Sequence, residues 1–319
     1  MSAPVVVKQF PLEKEYAKKT GVTPEDVAKL RAWLATQPHL PGELLTDLDL
    51  VLAYHCCQQS AEVSKQVLDL HFTLKTLFTN FFKDRLVTEK TFATLSMVCT
   101  VPLKVSAHND SAVFYCRLTD ADAKKFVFHE CVRVALMTLD LWQEEEGTWP
   151  GLEIIFDMRL FSLQHLPKVD LHTLQQFLYY LQEAMLMRVT GLHFINAPSF
   201  IDKLMMLIKP FLKKELLECL FIHQIGATTL EKHLPMDGLP EEAGGKGISL
   251  SKATEDLKER FQLNKDFFER ENKRRVVDPR RPGRPKTISD IFKGIEGTFK
   301  FQEARHRLVV RRHLSRISR

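Results

Sequence analysis

No stretch of about 18 consecutive apolar residues occurs in this chain of 319, so no helix is expected to cross a membrane. An N-terminal apolar signal core is also lacking: Val5 to Val7 is too short, and charged residues follow at once. The six cysteines, Cys56, Cys57, Cys99, Cys116, Cys131 and Cys219, show no CxxC spacing and no nearby Cys/His quartet. Reduced thiols in a cytosolic protein are therefore expected, and neither a disulfide framework nor a structural zinc site is. There is no GxSxG elbow, no P-loop, no HExxH and no complete GxGxxG, which removes the usual signatures of esterases, phosphate-loop enzymes, zinc proteases and dinucleotide binders. Catalysis finds no support, and no cofactor is implied.

What is present is an ordinary globular composition, 45% hydrophobic and 27% charged, enough for one large domain or two. The net charge of +5 hides an asymmetry. Residues 273–319 hold 15 Lys/Arg against 4 Asp/Glu, a net +11, so residues 1–272 carry a net −6. The body is mildly acidic and the C-terminal end is the basic part.

Residues 20–90 read as a helical module. Thr23-Pro24-Glu25-Asp26 is a helix start, with Thr as cap, Pro at the first position and acids in the first turn. Val27, Leu30, Trp33 and Leu34 form its apolar face. A second helix begins near Thr46, and a third from Ala61 to about Leu77 spaces Val63, Val67, Leu70 and Leu74 at helical intervals. From about residue 91 to 250, strands and helices alternate: strands at Ser111–Leu118, Leu152–Met158, Val189–Ile195 and Leu220–Ile225, helices at Phe126–Gln143 and from Leu171 to about Val189. That alternation predicts an α/β fold with a mainly parallel sheet. Residues 251–319 comprise a charged helix, Ala253 to about Asn272, then a proline-containing basic run, 278–287, expected to be extended, and a basic end.

The stretch after the third strand is unusual. Asn196 is a candidate helix cap with Pro198 in the first turn, and a helix from about Ala197 follows. Phe200, Ile201, Leu204, Met205, Leu207, Ile208, Phe211 and Leu212 cover most of its circumference. A surface helix needs only one apolar stripe. Four surplus large side chains represent roughly 6–12 kcal/mol of transfer free energy, so something other than water must cover the second face. Either two layers of ordinary core enclose this helix, or it is a lid over an apolar cavity. Elsewhere, Gly244-Gly245-Lys246-Gly247 reads as a turn requiring positive φ, not a phosphate loop. His165, His193 and His223 read as satisfied core residues, and Asp157 as a loop-anchoring acceptor.

Gly-Leu-His-Phe-Ile-Asn-Ala-Pro at 191–198, Lys-Pro-Phe-Leu at 209–212 and Leu-Pro-Glu-Glu-Ala-Gly-Gly at 239–245 resemble the CRAL-TRIO lipid-transfer family, in particular insect proteins similar to alpha-tocopherol transfer protein. The resemblance extends over about residues 20–302, including the three-helix module, where Ala53-Tyr54 stands in place of the usual Phe-Leu pair. It implies a sheet with helices on one face enclosing a lipid cavity, and a gate formed by Phe200, Ile201, Leu204, Met205, Ile208 and Phe211. Val132, Ala135, Leu139, Leu152, Phe156, Leu163, Phe177, Tyr180, Leu181 and Leu192 match the family's cavity-lining positions. Ala135 and Leu139 replace small hydroxyl residues of the tocopherol carrier, which removes ways to hold a polar head and argues against tocopherol itself.

The resemblance also implies a phosphoinositide patch beside the gate. Arg188 occupies one of its basic positions, but Thr190, Glu215 and Cys219 occupy others, leaving Lys209, Lys213 and Lys214 as partial substitutes. The expected function is a non-enzymatic, cytoplasmic carrier, peripherally associated with anionic membrane. Its ligand would be one hydrophobic molecule, such as a tocopherol, retinoid, carotenoid, sterol or phospholipid. The alternative is a regulatory adaptor whose basic end, residues 303–319, recruits a membrane, protein or nucleic acid; without aromatic stacking residues there, nucleic acid is disfavoured.

Overall fold

The computed structural model describes residues 5–293. Its N-terminal part is helical: α1 (Leu12–Ala17), α2 (Pro24–Ala35), α3 (Asp47–Cys56), α4 (Ala61–Leu77), α5 (Thr79–Phe82) and α6 (Glu89–Leu95). Helices α2 and α3 each begin at a reciprocal cap, Thr23 with Asp26 and Thr46 with Asp49. Val27, Leu30 and Leu34 of α2 meet Leu48, Val51 and Leu52 of α3 and Leu68 and Phe72 of α4 in one apolar cluster. Tyr54, the departure from the family's Phe-Leu pair, directs its hydroxyl to the Asp26 carboxylate at 3.3 Å.

The buried face of α4 differs from the one its periodicity suggests. Val63 is exposed, while Ser64, Leu68, His71, Phe72 and Lys75 are buried. The face is rotated because it carries polar anchors to the rest of the chain. His71 Nδ1 lies 2.8 Å from the Ala184 carbonyl, and Lys75 meets Glu271.

Five strands follow: β1 (Val98–Ser106), β2 (Ala112–Leu118), β3 (Leu152–Asp157), β4 (Val189–Ala197) and β5 (Leu220–Gln224). They lie in the order β1-β2-β3-β4-β5, with β1 antiparallel to β2 and the remaining pairs parallel. The crossovers carry α7 (Phe128–Glu146), α8 (Leu171–Glu183), then α9 (Ile201–Ile208) with α10 (Lys214–Glu218). Each parallel step moves in the same direction across the sheet, and crossovers of constant right hand then place every connecting helix on one face. Side-chain alternation divides the sheet accordingly. Phe114, Ile154, Leu192 and Phe194 join the cluster containing α7, α8 and α9, while Val113, Tyr115, Ile155 and Ile195 pack under Leu230, Leu234, Leu239 and Leu250.

Several boundaries differ from expectation. Helix α8 stops at Glu183, not near Val189, because the Ala184 carbonyl is taken by His71 and Met185, Leu186 and Met187 turn inward. The single helix expected from Ala253 is two, α11 (Leu250–Leu263) and α12 (Lys265–Lys273). The break falls at Asn264, whose amide bonds the Arg260 and Val5 carbonyls and accepts from Val7 N–H, holding the N-terminal segment. The 241–247 turn behaves as expected: Gly244 adopts φ +87°, and a Cβ on Gly245 would lie 2.0 Å from the Leu239 carbonyl oxygen. The 278–287 run, expected to be extended, instead opens with a 3₁₀ turn at Asp278–Arg280 and bends through 281–284 as it returns over the helical module, where Arg281 meets Asp69; α13 (Ile288–Ile291) follows. Phe292 then stacks on Phe78 and meets Tyr179 edge-on. The 294–300 resemblance and the 303–319 extension lie outside the described residues.

A buried ionic network ties the ends of the chain together. Lys75 Nζ is 3.1 Å from Glu271, Arg274 bridges Glu271 and Asp49, and Arg85 meets Asp140 at 2.7 Å. Burial would raise the Glu271 carboxyl, but Lys75, Arg274 and Arg85 outweigh it and hold it down to about 2. A folded-state value below the unfolded one contributes stability that is present above about pH 4.5 and lost as pH falls toward about 2. Glu271→Ala leaves the buried Lys75 without its nearest carboxylate and is expected to cost about 3–5 kcal/mol. This should appear as a lower urea midpoint at pH 7, with the gap to wild type narrowing below pH 4. An unchanged midpoint would show that the network is energetically neutral.

Candidate functional site

Between the helical face of the sheet and α7, α8 and α9 lies an apolar cavity of about 190 Å³. Its floor comes from alternate strand residues: Val98 and Thr100 of β1, Cys116 and Leu118 of β2, Phe156 of β3, and Leu192 and Phe194 of β4. Phe128, Cys131, Val132 and Ala135 of α7 form one wall, and Leu174, Phe177, Leu178 and Leu181 of α8 the next, each set recurring at three- and four-residue intervals. Leu204 and Ile208 of α9, one turn apart, close the remaining side. Phe126 and Phe161 fill one end, where Phe161 also meets His165 and Phe200.

The polar and charged residues on this wall are Thr100, Arg117 and Asp157; Arg117 reaches the Glu242 carbonyl at 3.3 Å and leaves its buried Nε without a partner. The Thr100 hydroxyl lies 3.1 Å from that of Thr138, which itself bonds the Val134 carbonyl. Burial pushes the Cys131 thiol up to about 12 and Cys116 higher still, so both present neutral sulfur. At the rim, Asp157 accepts from Tyr115 Oη at 2.5 Å, from Arg159 and from Asn196 Nδ2 at 3.0 Å. Burial would raise this carboxyl, but the bonds from Arg159 and Tyr115 hold it below the usual range, as befits an anchor. With apolar side chains making up nearly all of the wall, a greasy solute fits this chemistry.

Of the positions matched to the family's lining, Val132, Ala135, Phe156, Phe177, Leu181 and Leu192 are on the cavity wall. Leu139, Leu152 and Leu163 sit in or against the surrounding apolar cluster, off the wall. Tyr180 faces the opposite way, its ring 4.9 Å from Phe82 and its hydroxyl 3.4 Å from His71. The sequence reading omitted β1 altogether, because Pro102 interrupts the run; Pro is tolerated here on an edge strand. It also omitted Phe194 and Cys116, which the two-residue alternation from Leu192 and Leu118 would have supplied.

The gate segment is shorter than expected and enters differently. Asn196 is no helix cap: it takes φ +52° at the end of β4, with its amide donated to Asp157. The helix starts only at Ile201, with Phe200 at its cap position and Phe211 in a following 3₁₀ turn. Ile201, Leu204, Met205, Leu207 and Ile208 are all buried, and of the α9 apolar residues Met206 alone is exposed, at 42%. Protein thus covers both faces in this conformation. Gln182 of α8 clasps the far end, donating to the Phe211 carbonyl at 3.0 Å and accepting from Lys213 N–H at 2.6 Å.

The four cations assigned to an anion patch are not poised alike. Arg188 donates to the Pro150 carbonyl, Lys213 pairs with Glu183 at 2.5 Å, and Lys214 faces Glu218 at 3.8 Å, while Lys209 is exposed in the turn after α9. On the opposite face of the sheet, His193 and His223 are not isolated: their rings are joined at 3.1 Å, and His193 meets Glu153 at 2.7 Å.

Residues 100–245 match the family model for the CRAL/TRIO domain, and residues 21–92 match that for the Pinta-like UBA domain. Clavesin-1 of Xenopus laevis is 25% identical over 225 residues, which is 69% of this chain and 67% of that protein. Clavesin-1 of Rattus norvegicus is 25% identical over 72% of this chain and 66% of its own length. This chain therefore spans about two thirds of the clavesins it matches. The alpha-tocopherol transfer protein-like protein of Homo sapiens is 30% identical over 126 residues, 39% of this chain and 37% of its own. A solved structure titled "Crystal structure of Sfh5" aligns with 76% of this chain and 90% of that one, at 15% identity and a TM-score of 0.43. With the Gly-Leu-His-Phe-Ile-Asn-Ala-Pro motif on β4, the sheet with its crossover helices on one face and the family match, residues 100–245 are a CRAL/TRIO domain, the domain of a family of lipid-binding and lipid-transfer proteins.

Proposed function

We propose that this protein carries one hydrophobic molecule in the cavity beneath α9 and exchanges it at an anionic membrane when α9 moves aside. The observation that carries the reading is a cavity whose wall is almost entirely apolar and whose fourth side is one short helix. At about 190 Å³ the space exceeds a benzene-sized hole but falls below the roughly 300–1,000 Å³ of sites for drug-sized ligands. A tocopherol, retinoid, carotenoid, sterol or phospholipid would therefore need Leu204 and Ile208 to shift outward. The name of the alpha-tocopherol transfer protein-like relative keeps tocopherol among these candidates, while the lack of a free hydroxyl favours a ligand with little polar surface.

Membrane contact would fall to the outward side of the gate, where Met206 is exposed on α9 and Leu217 on α10. Lys209 and Lys214 stand on the same segment and would meet anionic headgroups, phosphoinositides included, as point charges. Arg188 and Lys213 would join them only by leaving their present partners. The UBA-type helical module carries no chemistry in this reading.

Two outcomes are expected. Native mass spectrometry with organic extraction should find one lipid per wild-type chain after incubation with mixed liposomes, whereas Ala135→Trp, which fills the cavity, should retain none while melting normally. A stoichiometric lipid in the Trp variant would remove the cavity from the proposal. Met206→Asp should keep its ligand yet slow transfer between anionic vesicles by about tenfold, the cost of desolvating a charge at the interface being more than 1.4 kcal/mol. Unchanged transfer would place the membrane contact elsewhere.

A further inference from the structure

The back of the sheet, away from the cavity, holds a constellation that the carrier reading leaves unused. Glu153 of β3, His193 of β4 and His233, in the wrap that follows β5, bring one carboxylate oxygen and two imidazole nitrogens within 4.8 Å of one another. Glu153 and His193 are buried, and His233 is half-buried, at the open side. We infer that Glu153, His193 and His233 form a binding site for a divalent transition-metal ion, with zinc the best fit to the donor set. Two imidazoles and a carboxylate, with a fourth position left over, are the ligands of an open tetrahedral site.

Three features fit a bound ion better than a chance cluster. The first is space. Gly191 lies beside the pair, and a Cβ there would stand 2.6 Å from His193 Nε2 and 2.9 Å from Glu153 Oε2. The glycine keeps both ligand atoms clear of a neighbouring side chain, which any larger residue would press against them. The second is support behind the ligands. His193 Nδ1 faces His223 Nε2 at 3.1 Å, His223 Nδ1 faces the Thr229 hydroxyl at 2.7 Å, and Asn109 Nδ2 donates to the other Glu153 oxygen at 2.9 Å. Such outer bonds fix ring orientation and tautomer at metal centres. The third is that Phe221 stacks on the His193 ring at 5.0 Å and lies 4.3 Å from the His233 ring, holding both on one side.

The proton count balances without release to solvent. Without metal, Thr229 O–H donates to His223 Nδ1, His223 Nε2–H to His193 Nδ1, and His193 Nε2–H to the Glu153 carboxylate. With an ion on His193 Nε2, the His193 proton moves to Nδ1 and donates to His223 Nε2, while the His223 proton moves to Nδ1 and donates to Thr229. Every hydrogen bond behind His193 survives with its direction reversed, and the bond to Glu153 becomes a bridge through the ion. Because His233 belongs to the wrap and the other two ligands to the sheet, the ion would staple the one to the other.

The test uses the full-length, untagged protein stripped with a chelator. Calorimetric titration with Zn²⁺ should give one equivalent bound, and Co²⁺ should give a visible absorption band of tetrahedral character. Both His233→Gln, which removes a ligand, and Gly191→Ala, which keeps all three and fills the space, should weaken zinc at least about tenfold and abolish the cobalt band. Lack of stoichiometric binding by wild type, or wild-type affinity in His233→Gln, would overturn the site and leave only adventitious surface histidines. If Gly191→Ala does not fold, His233→Gln decides alone. Lipid retention is measured on the same samples, and its failure would leave the metal result standing, since cavity and cluster lie on opposite faces.

Discussion

The hand of the parallel crossovers is the constraint from which the molecule follows. Strands β2 to β5 are added one after another in a single direction, so a right-handed connection has only one face on which to lay its helix. All of the crossover helices crowd there, and α7, α8 and α9 cannot all pack flush against a twisted sheet. The void between them is the cavity. The other face receives no crossover helix and is covered by short turns from Leu230 to Leu250, which carry far less apolar surface. Polar groups can therefore reside on that side: the Glu153–His193–His223 chain is there, built from strand residues one step out of phase with the cavity floor.

This phase relation makes β3 and β4 serve two faces at once. Phe156 and Leu192 look into the cavity while Glu153 and His193 look away from it. Asp157 fixes the exits of both strands, since it holds the Arg159 backbone N–H after β3 and the Asn196 side chain at the end of β4. The gate segment consequently departs from a rigid point. Beyond it, Pro198 and the non-helical residues up to Phe200 separate that point from α9, and Gln182 supplies the clasp at the other end. In the proposed exchange this short helix, held at its two ends with its apolar side turned inward, is the part of the wall that would move.

Much of this was legible in the sequence, and the limits have physical causes. Strands β2, β3, β4 and β5 announced themselves as apolar runs, and α2 by its cap and spacing. Local pattern could not reveal which arc of a buried helix meets which neighbour. Phe177 and Leu181 reach the cavity while Tyr180, between them in the chain, faces Phe82 and the helical module. Both directions are apolar, so hydropathy does not separate them. Helix α4 shows the same limit: its exposed Val63 and buried Lys75 invert a hydropathy reading because Glu271, 196 residues away, supplies the countercharge. The histidines on β4 and β5 looked solitary because their neighbours are lateral; His223 lies 30 residues from His193 in the chain and 3.1 Å in space. The same applies to Asn196, whose residue type suits a cap but whose amide finds Asp157 first.

The charge asymmetry shows how far composition can mislead about partners. A basic C-terminal end following an acidic body suggests an exposed surface for anions, yet several cations in the described part of that end are paired within the chain. Arg274 pairs with Asp49 and Glu271, Arg281 with Asp69 and Asp278, and Lys286 lies 3.5 Å from Asp69. The acids include two on the N-terminal helices, so the opposite charges fasten the returning segment across the module that the chain began with. Val276 and Val277 lock it further through backbone bonds to Thr76 and to the His39 carbonyl. Cations committed in this way, Arg274 and Arg281 being largely buried, have little attraction left for a membrane. On the proposed reading, anionic lipid would be met instead by Lys209 and Lys214, which remain exposed near the gate, so the charge relevant to docking would be local to α9 and α10.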